Sequence, residues 1–259
     1  MKNFRLVFSL FAITFLSSAS LMAQKHIKVM SFNIHHGANT ENLATLDKMA
    51  ELIKSSGADI VGLQEVDSIC GRSGNVDQAK YLGEKSGLHY TFVKHFSYDG
   101  GSYGQALLSR FPIKSTHNER LPVYSSTTNS EVALLVSKIS LPKNVNLNVA
   151  VAHLDYRNEA SRVKQVDTLH QILKAYKGKL ILMGDMNATP ESETMLRLTK
   201  EFQLTQQPQQ FTFPVKNPIK KIDYILVPKG KGIKSKKAVV FEDQSSDHRA
   251  IMSVLRINK

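Results

Sequence analysis

The chain has no tryptophan, and its one cysteine is Cys70. A single thiol cannot close an internal disulfide, so a disulfide-stapled scaffold is excluded. Cys70 has no CxxC partner and reads as structural or incidental rather than as a redox or catalytic thiol. HExxH and clustered Cys/His ligands are absent, which disfavours a zinc site. So are GxSxG and Walker A patterns, which lowers the case for a serine hydrolase or a P-loop NTPase. After the first two dozen residues no apolar run is long enough to span a bilayer, and no linker, repeat or low-complexity tract interrupts the chain.

What is present begins with a targeting pattern. Lys2 and Arg5 form a positive start, Leu6 to Leu16 is a short apolar core, and LMAQ offers cleavage after Ala23. Residues 1–23 are therefore expected to be a signal peptide and residues 24–259 one catalytic domain, exported to the periplasm or the exterior. The alternative is a retained N-terminal anchor. The 259 residues carry 34 Lys and Arg against 22 Asp and Glu, a formal charge of +12, which falls to +10 without Lys2 and Arg5. That excess favours anionic partners such as nucleic acid, acidic headgroups or phosphorylated small molecules, and it is equally common on plain solvated surfaces.

Short apolar runs read as buried strands at 27–32, 60–63, 90–93, 106–109, 132–139, 145–152, 180–183, 222–227, 238–241 and 250–255. Helical spacing appears in LATLDKMAELIKSSG, where Leu43, Leu46, Met49, Ala50 and Ile53 share a face and Gly57 closes the end. Further helices are expected over 77–86, over SRVKQVDTLHQILKAYKG and from Pro190 onward. Strands follow one another without helices from about Tyr90 to Ala152, which argues for antiparallel pairing there and strand–helix–strand units on either side. The expected fold is mixed α/β, with two packed sheets and helices outside.

Polar residues sit at the ends of these runs. Asn33 follows IKVMSF, Glu65 follows DIVGLQ, His153 follows LNVAVA, and Asp185 and Asn187 follow KLILMG. Asp223 opens DYILV, and Asp247 and His248 precede AIMSVL. Asp185 and Asn187, two apart, point to one side of an extended segment and could hold a water and a phosphate oxygen together, although Asp-x-Asn before Pro190 is also ordinary turn chemistry. A lone carboxylate such as Glu65 among oxygen donors suits Mg2+, which keeps several waters. A His whose tautomer is fixed by a carboxylate, as Asp223 could fix His248, serves as acid, base or charge stabiliser near neutral pH.

In order, SFNIHHG, LQEVD, YGQALLSR, VAHLD, GDMNA, IDYIL and SSDHRA resemble the motif series of the endonuclease/exonuclease/phosphatase superfamily, the DNase I-like fold. The resemblance runs from Ile27 to about Leu255. It implies a four-layer α/β sandwich and divalent-metal-dependent cleavage of phosphate esters, with Mg2+ as cofactor and Mn2+ as its substitute. By motif, Glu65 resembles the metal ligand, assisted by Asn33 and Asp247. Asp185 and Asn187 resemble the pair that positions water and phosphate. His248, oriented by Asp223, resembles the base or phosphate stabiliser, and His153 the imidazole at the leaving oxygen.

Two positions bear on substrate. Gln105 stands where many relatives carry Asn, one methylene shorter, and is a candidate phosphate contact. Arg72, in CGRSGNVDQ, could grip a phosphate through its guanidinium or pair with a nearby acid. The loop from Phe96 to Gly104 is either substrate-facing or a hairpin turn. The expected partner is a phosphate-ester substrate, small or lipid-derived, with nucleic acid as the second choice; membrane contact is expected only through such a substrate, and no stable protein partner is inferred.

Overall fold

The computed structural model describes residues 26–124 and 129–258. The expected signal peptide lies outside the described residues. In chain order the elements are β1 (His26–Asn33), α1 (Leu46–Ser56), β2 (Ile60–Ser68), α2 (Gln78–Ser86), β3 (His89–Tyr98), β4 (Gly101–Ser109), β5 (Ile113–Tyr124) and β6 (Asn129–Leu141). Then come β7 (Val145–His153), α3 (Glu159–Leu173), β8 (Lys179–Asp185), α4 (Glu193–Glu201), β9 (Phe202–Leu204), β10 (Asp223–Pro228), β11 (Ile233–Val240) and β12 (Ile251–Ile257).

The strands form two six-stranded sheets, ordered β11-β12-β1-β2-β4-β3 and β5-β6-β7-β8-β10-β9. Within each sheet one pair is parallel, β1 with β2 and β7 with β8, and the rest are antiparallel. Each parallel pair is joined by a helix, α1 in the first sheet and α3 in the second, as parallel crossovers require. The sheets bury Val29, Ile60, Leu107, Leu135, Val149, Ile181 and Ile225 between them. Their neighbours along the strands point the other way, because successive side chains alternate faces. Thus Met30, Phe32 and Leu63 meet Met49, Ile53 and Leu82 of α1 and α2. Leu182 and Tyr224 meet Val166, Leu169, Met195 and Leu198 of α3 and α4. The result is the four-layer α/β sandwich, and each such buried side chain contributes about 1.5–3 kcal/mol.

The helix ends follow their local chemistry. Gly57 and Gly87 take left-handed conformations, φ 64 and 70, after α1 and α2. The Asp77 carboxylate accepts the Lys80 N–H at the start of α2, and Asn158 accepts from Ala160 and Ser161 at the start of α3. The third helix stops at Leu173, short of the glycine expected to close it. Two strands have no counterpart among the apolar runs of the sequence: β5 and β9, the two edges of the second sheet. An edge strand exposes one flank, and β5 (IKSTHNERLPVY) is mostly polar. Among the described residues no helix is long and apolar enough to cross a membrane.

Gly184, one residue before Asp185, has φ 145, and a Cβ there would lie 1.8 Å from the Ala152 carbonyl oxygen. Gly184→Ala is therefore expected to destabilise the protein by at least ~2 kcal/mol, read as a lower urea midpoint. An unchanged midpoint would show that β7 and β8 can part without cost at that point.

Candidate active site

Strand register assembles one half of the site. His153, the last residue of β7, is level with Asp185, the last of β8. Asp185 is in turn level with Asp223, the first of β10. Three adjacent strands thus present an imidazole and two carboxylates side by side on one edge. The other half comes from the facing sheet. Asn33 ends β1 level with Gln64 of β2. On β2, Gln64 and Glu65 together oppose the single residue Gln105, because Leu63 pairs with Ala106 and Val66 with Gly104. This two-against-one bulge re-aims the Glu65 side chain. Glu65 has φ 58, a left-handed conformation costing on the order of 1–3 kcal/mol in a residue other than glycine.

The two halves meet through Asn33. Its Nδ2 donates to Glu65 Oε1 at 3.0 Å and to Asp185 Oδ2 at 3.2 Å, while its Oδ1 accepts the His35 N–H at 3.0 Å. His153 Nε2 lies 3.9 Å from Glu65 Oε1 and 3.7 Å from Asp185 Oδ2. His248 Nε2 lies 3.7 Å from the same Asp185 oxygen, and its Nδ1 is 3.0 Å from Asp223 Oδ2. Asp185 Oδ1 accepts the Asn187 N–H at 2.8 Å, and the Asn187 amide is tied to the Leu154 carbonyl at 3.0 Å. The His248 loop is fixed by Ser246, whose hydroxyl donates to the Asn33 carbonyl at 2.7 Å and accepts the His248 N–H at 3.3 Å.

Burial and charge set the protonation states. Burial, with the Asp223 charge added, pushes the Asp185 carboxyl up to about 6. Burial alone would lower His248, but the Asp223 and Asp185 carboxylates outweigh it and raise the imidazole to about 10. Burial likewise opposes ionisation of Glu65, yet His153, the Asn33 amide and His248 together hold its carboxyl below the usual value. The site therefore carries an ionised Glu65, a cationic His248 and an Asp185 able to accept a proton near neutrality.

The donor set fits a divalent cation. Two carboxylates from different sheets converge on one amide NH2 group, a place of concentrated negative charge, and the Glu65 side chain keeps 22% exposure for waters. Among the described residues the buried Asp223 Oδ1 has no hydrogen-bond partner. Asp185, Asp223 and His248 form a second grouping with ligand atoms within 4.8 Å of one another, and it too could hold a metal. It is enclosed and includes an imidazole already paired with a carboxylate, so a hard, hydrated ion is better matched by Glu65, Asn33 and Asp185.

The other expected residues divide. Asp247 lies beside the cluster, accepts from the Ser246 hydroxyl at 3.3 Å and adds to the negative charge felt by His248. Arg72 pairs with Asp67, Nε to Oδ2 and Nη2 to Oδ1, each at 2.8 Å, so the salt-bridge alternative holds for those two nitrogens. Gln105, expected at the substrate, is 1% exposed and donates to the Ala133 carbonyl at 2.7 Å. Its amide thus reaches β6 of the facing sheet and not the surface. The sequence reading passed over Asp67 and Tyr103, although both lie within the quoted motifs LQEVD and YGQALLSR. Tyr103 is half-buried near Glu65, and burial with the Glu65 charge raises its phenol strongly. Lys221, fully buried, was also missed; burial lowers its ammonium to about 8 against the raising effect of Asp223.

Beside Glu65 and His153 opens a cavity of about 620 Å³, lined also by Arg72, His95, Phe96, Tyr98, Tyr103, Asp155 and Tyr156. Carboxylates, two imidazoles and an amide on the edge of a four-layer sandwich, next to such a cavity, define a hydrolase-type site for phosphate esters. The sequence model of the Endonuclease/Exonuclease/phosphatase family matches residues 30–248. The chain belongs to this family, whose members are hydrolases acting on phosphate esters and are typically divalent-metal dependent. It is 26% identical over 220 residues to the uncharacterized protein YbhP of Escherichia coli K12, covering 79% of this chain and 85% of that one. Among solved structures it resembles a functionally unknown conserved protein from Enterococcus faecalis V583, with TM-score 0.75, 19% identity and coverage of 90% and 100%. It also resembles the mannosyl-6-phosphatase Bt3783 of Bacteroides thetaiotaomicron, with TM-score 0.70, 18% identity and coverage of 88% and 99%. Those two likenesses establish the fold alone.

His95, in the cavity wall, gives a pH prediction. Burial, with smaller contributions from His153 and Arg120, lowers its imidazole from 6.5 to about 4. A histidine depressed in the folded state binds its proton first in the unfolded state. Its contribution is therefore present above 6.5 and is lost as pH falls from 6.5 towards 4. The loss is on the order of 2–3 kcal/mol. His95→Gln should flatten the acid limb of melting temperature against pH in that window; an unchanged limb would show that the ring is not desolvated.

Proposed function

We propose that the protein is an exported, divalent-metal-dependent phosphoesterase that hydrolyses a small or lipid-derived phosphate ester, with Mg2+ as the ion and Mn2+ as its substitute. The observation that carries this reading is the meeting of Glu65, Asn33 and Asp185 at one point, flanked by His153 and His248, beside a cavity. The leader-like first 23 residues support export. The likeness to a protein named as a mannosyl-6-phosphatase supports a small substrate.

A cation held by Glu65 and Asn33, with Asp185 alongside, would neutralise a phosphate oxygen and favour the charge that develops in the transition state. The chain's own groups account for the proton and the geometry. Asp185 accepts a proton from the attacking water as the new P–O bond forms, and Asn187 fixes the Asp185 carboxylate through its backbone N–H. His248, held by Asp223, presents its Nε2 as a fixed positive donor to a non-bridging oxygen. His153, across from it, gives a proton to the leaving oxygen as the old P–O bond breaks.

The second reading is a secreted nuclease, favoured by the net positive charge. Its weakness is the position of the lysines. The densest run, from Lys229 to Lys237, leaves β10 at Pro228, the end opposite Asp223. It does not lead a polyanion towards the cluster.

Purified protein should hydrolyse small or lipid-derived phosphate esters with Mg2+, lose the activity in EDTA and recover it with Mn2+. Asp185→Asn and His248→Ala should each reduce the rate by about a hundredfold or more. Rapid EDTA-sensitive nicking of plasmid DNA with no activity on phosphoinositides, sphingomyelin or small esters would overturn the leading choice in favour of the nuclease.

A further inference from the structure

We propose that the cavity beside Glu65 and His153 holds the leaving group, and that it is built for the sugar ring of a phosphorylated sugar, with Arg72 and Tyr98 as its specificity residues. This rests on the phosphoesterase reading above and narrows its substrate from small or lipid-derived esters to one chemical class.

The cavity wall is a built structure rather than a chance grouping of surface side chains. The β3–β4 turn is Asp99-Gly100, with φ 43 and 78, the two-residue hairpin form that needs positive φ at both positions. The segment after β2 folds onto that hairpin. Gly71 N–H donates to the Asp99 carbonyl at 2.9 Å and Arg72 N–H to Asp99 Oδ2 at 2.5 Å. The Cys70 thiol faces the Tyr98 and Ser102 carbonyls at 3.2 and 3.4 Å. Arg72 is thereby fixed twice, by its backbone and by its bidentate pair with the fully buried Asp67. Its guanidinium lies 4.4 Å over the Tyr98 ring and 5.5 Å from the centre of Tyr103. Asp67 takes Nε and Nη2, so Nη1 stays outside that pair.

The chemistry of the lining discriminates between leaving groups. Phe96, Tyr98 and Tyr156 are 44%, 43% and 68% exposed and share this one cavity. Arg72 covers one face of Tyr98, Phe96 stacks on Tyr103 at 5.1 Å and Arg157 lies 5.0 Å over Tyr156, so the exposed remainder of each ring offers an aromatic surface to a ring. Around them stand donors and acceptors of both signs: Arg72, Arg120 and Arg157, the buried His95 Nδ1, unpartnered among the described residues, and the carboxylates of Glu131 and Asp155. A hydroxyl both donates and accepts, so a hydroxyl-bearing ring satisfies such a mixed set. A quaternary ammonium headgroup would need tyrosine faces free of cations, and guanidinium groups already lie over Tyr98, Tyr103 and Tyr156. An acyl chain would need a continuous apolar wall, and arginines and acids interrupt this one. The volume, about 620 Å³, lies within the range of small-molecule sites and accommodates a monosaccharide or a nucleoside.

Two sources share this chemistry, hexose phosphates and nucleotides, and the test separates them. With Mg2+ present, kcat/KM is measured for hexose 6-phosphates, nucleoside 5′-monophosphates, the ringless glycerol 3-phosphate and a phosphorylated acyl lipid. One sugar-phosphate arm should exceed glycerol 3-phosphate at least tenfold. Tyr98→Ala and Arg72→Met should each cut that ratio about tenfold, chiefly through KM, and Arg72→Lys should restore little of it. A melting curve for each variant verifies folding, and exposed Tyr98 is the safer position if Arg72→Met unfolds. Preference for glycerol 3-phosphate or the lipid, or a ratio unmoved by Tyr98→Ala, would overturn the proposal. Calorimetric binding of the same sugar phosphates to the Mg2+-loaded His248→Ala protein, which keeps Glu65, Asn33 and Asp185, needs no turnover. Tyr98-dependent binding without hydrolysis of any ester by the unsubstituted protein would sink the phosphoesterase reading and leave the pocket assignment standing; absence of sugar-phosphate binding would sink the pocket assignment.

Discussion

The Asn33 amide donates to Glu65 in its own sheet and to Asp185 in the facing one, and the arrangement of the site depends on that shared donor. Two carboxylates brought together from opposite sheets repel each other, and the seam is half-enclosed, so water screens the repulsion poorly. One neutral amide group, with an N–H for each carboxylate, relieves only part of it. The surrounding groups follow from the remainder: His153 within 4 Å of both carboxylates, His248 within 4 Å of Asp185, and room for a hydrated cation. Removing any one of these groups leaves a buried charge without its partner, which is a larger penalty than the loss of one hydrogen bond.

The sandwich is what allows the convergence. In each sheet a helix crossover makes two neighbouring strands parallel, so both end at the same edge. β7 and β8 end together at His153 and Asp185, and β1 and β2 bring Asn33 and Glu65 to the facing edge. β10 runs the other way and contributes its first residue, Asp223, at the same level. Packing the hydrophobic faces against each other then presses the two edges together. The energy for holding like charges close comes from the inter-sheet core, and the local cost appears where it can be seen, in the left-handed backbone of Glu65.

Most of this could be read from the chain because buried strands are continuous apolar runs and the polar residues at their ends stand out. Each of the ten runs identified in the sequence falls on a strand of the structure, with Ile222, Phe241 and Ala250 just outside their strands, and the four helical stretches are helices, with the third shorter than its pattern implied. The edges were not legible: β5 is polar along its solvent flank, and β9 is three residues long. Three features of the site escaped for related reasons. The bulge at Gln64 and Glu65 leaves no period to detect. The turning inward of Gln105 depends on which carbonyl of the facing sheet lies opposite it. An acid partner for Arg72 was one of the two expected readings, but its identity as Asp67, five residues away, depends on how the loop docks on the β3–β4 hairpin. Contacts between layers are set by packing, and a linear pattern does not contain them.

The central claim is that the two sheets share one cation through Glu65, Asn33 and Asp185. Mn2+ binding to the purified protein, followed by electron paramagnetic resonance or calorimetry, tests it without knowledge of the substrate. The account predicts saturable Mn2+ binding that Mg2+ displaces and that Glu65→Gln weakens at least tenfold while the protein stays folded. Mn2+ binding equally strong in folded Glu65→Gln, or no saturable binding to the unsubstituted protein, would contradict it.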